Sequence, residues 1–113
     1  MLKLFSLAVA SAEIFTDTLT ITEVVPNSFV TFYTEGCCDD LLPMFVEASK
    51  EYVGPVKFGL VESANKVLME KYQIQEYPTI LFFDAFSTPT VYDGVFDTQA
   101  FVDFANTIII WLL

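Results

Sequence analysis

The stretch from Ser28 to Pro43, SFVTFYTEGCCDDLLP, constrains this chain more than any other. Ser28 to Tyr33 is β-branched and aromatic, with no charge and no glycine, which is the composition of a strand covered on both faces. Glu35 and Gly36 break the run. Asp39 and Asp40 then place negative charge where a first helical turn leaves backbone N–H groups unsatisfied and the macrodipole is positive. The only two thiols of the protein, Cys37 and Cys38, therefore sit at or just before a helix N-terminus. That position lowers a thiol pKa and favours the nucleophilic thiolate. The neighbouring aspartates oppose the effect by repelling a second negative charge.

Charge narrows the partners. Fifteen acidic residues face five basic ones, all lysine, for a formal net charge of −10. Nucleic acid and anionic lipid both demand a basic surface, so neither is an expected partner. At 54% hydrophobic residues, twelve of them Phe, the 113-residue chain is too apolar for disorder and long enough for one domain with a real core. It contains no histidine, which leaves carboxylates and thiols to carry any chemistry.

Residues 1–12, MLKLFSLAVASA, read as a secretory signal peptide, with Lys3 in the positive segment, Leu4 to Val9 apolar, and Ala10-Ser11-Ala12 as the cleavage site. The competing reading is an N-terminal strand of the fold. The domain is then residues 13–113. Ile14-Phe15 reads as a short strand, and residues 16–25 stay ambiguous. Thr16 or Asp17 can open a helix that stops before Pro26, whereas the β-branched alternation from Thr18 to Val25 argues for a strand. From Asp39 to Tyr52, Leu41, Leu42, Phe45, Ala48 and Tyr52 recur at helical spacing, with Cys38 or Asp39 as the cap and Pro43 in or near the first turn. Gly54-Pro55 ends that helix, Val56 to Val61 is a second buried strand, and Ser63 to Tyr72 a short helix with Val67, Leu68 and Tyr72 inward. This alternation implies parallel pairing in a layered α/β sheet.

Two segments together carry a resemblance. Phe32-Tyr33 before the cysteines and Pro43 after them are similar to the active-site segment of the thioredoxin superfamily, above all of protein disulfide isomerase-like domains. Lys71 to Phe83, KYQIQEYPTILFF, resembles the family's cis-proline segment through Tyr72, Ile74, Tyr77, Pro78, Thr79 and Phe82-Phe83. The resemblance covers about residues 13 to 106. It implies a three-layer α/β/α sandwich with a mixed, mostly parallel central sheet, a helix over residues 16–25, and a cis Tyr77–Pro78 bond facing the cysteines. It also implies an antiparallel hairpin with Ser87 to Pro89 as its loop, Val91 in the last strand, a Tyr92-Asp93-Gly94 turn, and a final helix capped by Asp97 and built on Phe101, Phe104 and Ala105. Ile108 to Leu113, IIIWLL, overruns that helix or opens a further hydrophobic segment, but six residues cannot span a bilayer, which needs ~20.

The cysteines depart from the family. Cys38 keeps the second cysteine's spacing to Pro43, while counting from Phe32-Tyr33 places Cys37 on the first, so the turn is two residues short. Adjacent cysteines close only a small strained ring, and strained disulfides are labile and oxidising. Gly36 replaces the family's tryptophan. Thr31 stands where many relatives keep a buried carboxylate, and Phe58 where a lysine often pairs with it. Three functions follow. The first is thiol–disulfide exchange in protein folding, with slow turnover, using Cys37 and Cys38 as catalytic thiols and Tyr77, Pro78 and Thr79 to hold an extended polypeptide. The second is a redox-inactive peptide-binding module at the same site. The third makes the cysteines structural or metal-binding, although two thiols without histidine supply only half of a usual zinc site. The resemblance requires no cofactor and no metal. It implies a protein of the endoplasmic reticulum lumen or a secreted one, as a monomer or as part of a larger assembly, without a stable membrane span.

Overall fold

The computed structural model describes residues 14–15 and 24–112. The expected leader at 1–12 and most of the ambiguous segment, residues 16–23, lie outside the described residues; Val24 and Val25 belong to no regular element. The elements run β1 (Ile14–Phe15), β2 (Ser28–Tyr33), α1 (Leu41–Glu51), β3 (Lys57–Glu62), α2 (Lys66–Lys71), β4 (Thr79–Phe83), β5 (Pro89–Val91) and α3 (Thr98–Leu112).

β2 lies at the centre of a five-stranded sheet of order β1-β3-β2-β4-β5. It pairs in parallel with β3, Phe29 opposite Phe58, and antiparallel with β4, Phe29 opposite Phe82. β1 joins β3 in parallel, and β5 closes the other edge antiparallel to β4. Four strands thus share one direction and β4 alone runs against them. Pairings divide evenly between parallel and antiparallel. The sheet is the mixed one expected.

The period of two along β2 sends its side chains into two cores. Phe29 points into a cluster with Phe45 and Ala48 of α1 and Phe101 and Ala105 of α3. Val30 and Phe32 point the other way, into a cluster with Leu68 and Met69 of α2. Helices therefore cover both faces, which makes the three layers. The Phe29 ring is the hub of the first core, with centroids 5.2 Å from Phe45, 5.5 Å from Phe58 and 4.8 Å from Phe104. Each such aromatic pair contributes about 1 kcal/mol beyond the area it buries.

Several local expectations are corrected. α2 starts at Lys66 rather than Ser63, because Asn65 caps it by accepting from the Leu68 N–H at 3.0 Å. In so short a helix the phase is set by its neighbours, and Val67 turns outward at 54% exposure while Leu68 and Met69 are buried. β3 runs one residue later than expected, Lys57–Glu62. Pro89 is the first residue of β5 rather than part of the loop, a place proline tolerates on an edge strand. Asp40, not Asp39 or Cys38, is the residue preceding α1, and it makes no side-chain cap. Its φ of −85° and ψ of −36° are already helical, so its carboxylate is not presented to the N–H groups ahead. Pro43 is the third residue of α1, where a missing N–H costs little. No helix among the described residues is long and apolar enough to cross a membrane.

Candidate functional site

β2 delivers the chain to the site and α1 carries it away. Between them Thr34 to Asp40 forms a turn in which the Cys37 N–H donates to the Thr34 carbonyl at 3.2 Å. Gly36 sits at φ +84°, a backbone region that a side chain adopts only under strain. That requirement explains why the turn holds glycine where the family has tryptophan. The turn is tied to the end of β3: Thr34 Oγ1 lies 2.8 Å from Ser63 Oγ, and the Ser63 N–H donates to the Tyr33 carbonyl at 2.8 Å.

The two thiols face different surroundings. Cys37 is exposed on the turn, and the Thr34 N–H approaches its Sγ at 3.5 Å. Cys38 is 5% exposed and packs into the α1–α3 core beside Leu41 and Phe45. They are joined to each other as a disulfide. The Cys38 carbonyl accepts from the Leu42 N–H at 3.0 Å, so the helical hydrogen bonding begins on the second cysteine itself.

Opposite the cysteines stands Pro78, preceded by a cis bond from Tyr77. Cys37, Cys38 and Pro78 line one cavity of about 360 Å³, together with Asp39, Asp40 and Met44. Of the other two residues expected to hold substrate, Thr79 lines a second cavity of about 420 Å³, on the far side of Pro78. Its hydroxyl donates to the Glu76 carbonyl at 2.7 Å. Tyr77 lines neither cavity: its ring packs against the α2-side core. Pro78 is the bridge between cysteines and second cavity.

Sequence reasoning missed Phe96. It lines both cavities and is 46% exposed. Two bonds hold the loop that carries it. The Tyr92 hydroxyl donates to the Val95 carbonyl at 2.5 Å, and the Thr98 hydroxyl donates to the Met44 carbonyl at 3.3 Å. Gly94 makes the first of these possible, since a Cβ there would lie 2.6 Å from the Tyr92 oxygen. Burial, then the charges of Asp97 and Asp93, push the Tyr92 phenol above its ordinary pKa, so it stays a donor. Burial and Glu62 likewise raise Tyr33. Neither phenol serves as a base near neutral pH.

Below the turn lie the two positions at which the resemblance implies a buried carboxylate and its lysine. Thr31 is fully buried, and its hydroxyl has no hydrogen-bond partner among the described residues. Phe58 is fully buried within the aromatic cluster. No group of three or more potential metal ligands occurs among the described residues.

Comparison with known proteins places this geometry among relatives. The family model described as Thioredoxin matches residues 7–107. A "Protein disulfide isomerase-like 2-3" from Oryza sativa subsp. japonica is 39% identical over 80 residues, which cover 67% of this chain and 18% of that protein. The J-Trx1 fragment of ERdj5 superposes with a TM-score of 0.71 at 27% identity, over 85% of this chain and 51% of that one. Human ERp44 (form I) gives a TM-score of 0.70 at 26% identity, over 88% of this chain and 30% of that one. The chain spans less than a fifth of the length of the curated relatives it matches.

Proposed function

This chain belongs to the thioredoxin family, as a protein disulfide isomerase-like domain whose spaced cysteine pair is replaced by adjacent cysteines, and from that premise we propose that it exchanges disulfides slowly with extended polypeptides. The observation that carries this reading is the arrangement around one cavity: an exposed Cys37, a buried Cys38 and the cis Pro78 in the same lining. Catalytic exchange needs one accessible sulfur and one protected partner.

In the oxidised protein, a substrate thiolate attacks Cys37 Sγ. The Cys37–Cys38 bond breaks, a mixed disulfide forms, and Cys38 leaves as the thiolate. A second substrate thiolate then attacks the mixed disulfide, releasing the oxidised substrate and leaving both protein thiols reduced. The reverse sequence, begun by Cys37 thiolate, reduces a substrate disulfide. Backbone groups flanking Pro78 align the peptide for either direction. Turnover is slow for two reasons. Asp39 and Asp40 in the cavity lining repel an approaching substrate thiolate, and Thr31 cannot relay a proton as a carboxylate does. The secretory pathway is the compartment we assign, because residues 1–12 read as a leader and disulfides persist under oxidising conditions. Mass spectrometry of the native protein should find Glu13 at its N-terminus.

Redox titration against a dithiol buffer, with insulin reduction alongside, tests the exchange. A reversible two-thiol transition and slow insulin reduction, both lost in Cys37→Ser, are expected. If the disulfide does not exchange under any buffer poise, the reading fails. A module that binds peptides at Pro78 without redox turnover then replaces it, and the substitutions at Gly36, Thr31 and Phe58 are the observations favouring that second reading.

A further inference from the structure

The two cavities at the site adjoin. Pro78 and Phe96 line both, and together the two linings form a furrow from the cysteine turn, past Pro78, to the exposed edge strand β5 at Val91. Two large apolar side chains in its lining are open to solvent: Phe96 is 46% exposed and Val91 64%, and Val95 beside Phe96 in the chain is 68% exposed. Leaving such apolar side chains in water is unfavourable, and apolar side chains exposed along a cavity mark a binding surface.

Every charged side chain lining the furrow is negative. Asp39 and Asp40 stand at the cysteine end, and Glu76 at the far end. Asp93 and Asp97 line neither cavity but lie near Tyr92, which lines the second; burial first, then their charges, raise its phenol above the ordinary pKa. No lysine lines either cavity. The lining is thus acidic at both ends, in a chain whose formal net charge is −10; Lys71 stands outside the lining, 5.7 Å from the ring of Tyr72.

We propose that this furrow selects extended, cationic polypeptide segments: a large apolar residue seated on Phe96 and Pro78, with Lys or Arg on either side meeting Asp39–Asp40 and Glu76. The proposal rests on the reading that polypeptides are handled at this site, and it names which ones. Shape alone would admit any extended apolar segment. The acidic ends decide among them, because an acidic flank meets like charge at both limits of the furrow while a basic flank is steered in and held. Phe96 supplies affinity without charge preference; the carboxylates supply the preference.

Short cysteine-free peptides with one apolar centre and either Lys or Glu flanks separate binding from exchange. Calorimetry or fluorescence anisotropy should show the Lys-flanked peptide binding about tenfold tighter at low salt, the sum expected of a few solvent-exposed ion pairs. The ratio should shrink toward one at high salt and in the Asp39→Asn, Asp40→Asn double variant. Phe96→Ser should weaken both peptides alike and leave their ratio unchanged. Equal binding of the two peptides by the unaltered protein overturns the charge selection and leaves the polypeptide reading standing. Full affinity in Phe96→Ser overturns the furrow. Binding of neither peptide removes both the inference and the reading on which it rests.

Discussion

Tyr92 donates its hydroxyl to the Val95 carbonyl, and this bond sets the position of Phe96 against Pro78. The tyrosine is itself anchored, buried and donating its backbone N–H to the Ile80 carbonyl at 2.8 Å. Removing the hydroxyl leaves the ring packed and frees only the loop. Tyr92→Phe should therefore cost about 1 kcal/mol of stability by urea unfolding. It should also raise amide exchange at residues 94–97. An unchanged exchange pattern would show that the bond does not order the loop.

The same phenol gives a pH dependence with a definite sign. Burial raises Tyr92, Tyr52 and Tyr33 above the ordinary value of 10.0. A folded-state pKa above the unfolded one contributes stability that is complete below the unfolded pKa and lost as pH rises through the folded one. Stability should thus be insensitive to these tyrosines below about pH 10 and fall above it. Tyr92→Phe should flatten part of that alkaline fall, read from unfolding midpoints across an alkaline series.

Phe29 is the hub that ties β2 to α1 and α3, with its ring against Phe45, Phe58, Tyr92, Phe101 and Phe104. Truncation to alanine leaves a cavity that so rigid a surround cannot close. Phe29→Ala should cost roughly 3–5 kcal/mol in a denaturant titration. A loss below about 1 kcal/mol, no more than a surface substitution brings, would contradict the central place given to this ring.

Thr31 behaves oppositely. Its hydroxyl is buried without a hydrogen-bond partner among the described residues, so it carries a desolvation cost with no return. Thr31→Val keeps the shape and removes the cost. The variant should be more stable by about 1 kcal/mol or more. A destabilised Thr31→Val would mean that the hydroxyl is satisfied in solution.

How far the chain could be read before folding depended on how local each signal was. Ser28–Tyr33 and Thr79–Phe83 announce themselves as strands because an uncharged run flanked by turn residues has few alternatives. The exposed Cys37 and buried Cys38 follow from their order along the turn. Phe96 was invisible because Val95-Phe96 has no periodicity of its own; only the Tyr92 bond and the start of α3 bring it to Pro78. Tyr77 shows the converse. It adjoins Pro78 in sequence, but its ring packs on the opposite core, which leaves its backbone beside Pro78. Val67 and Asp40 show the remaining limit: a six-residue helix does not set its own phase, and a residue already helical in φ and ψ does not cap.

The central claim is that Cys37 is the sulfur substrate reaches and Cys38 the one that resolves. Trapping measures this directly. Cys38→Ser incubated with a disulfide-bearing peptide should accumulate a mixed disulfide located on Cys37 by mass spectrometry. Cys37→Ser should accumulate little under the same conditions, because Cys38 is 5% exposed beneath the turn. Adducts forming as fast on Cys38 in Cys37→Ser, or on neither cysteine in either variant, would contradict the account.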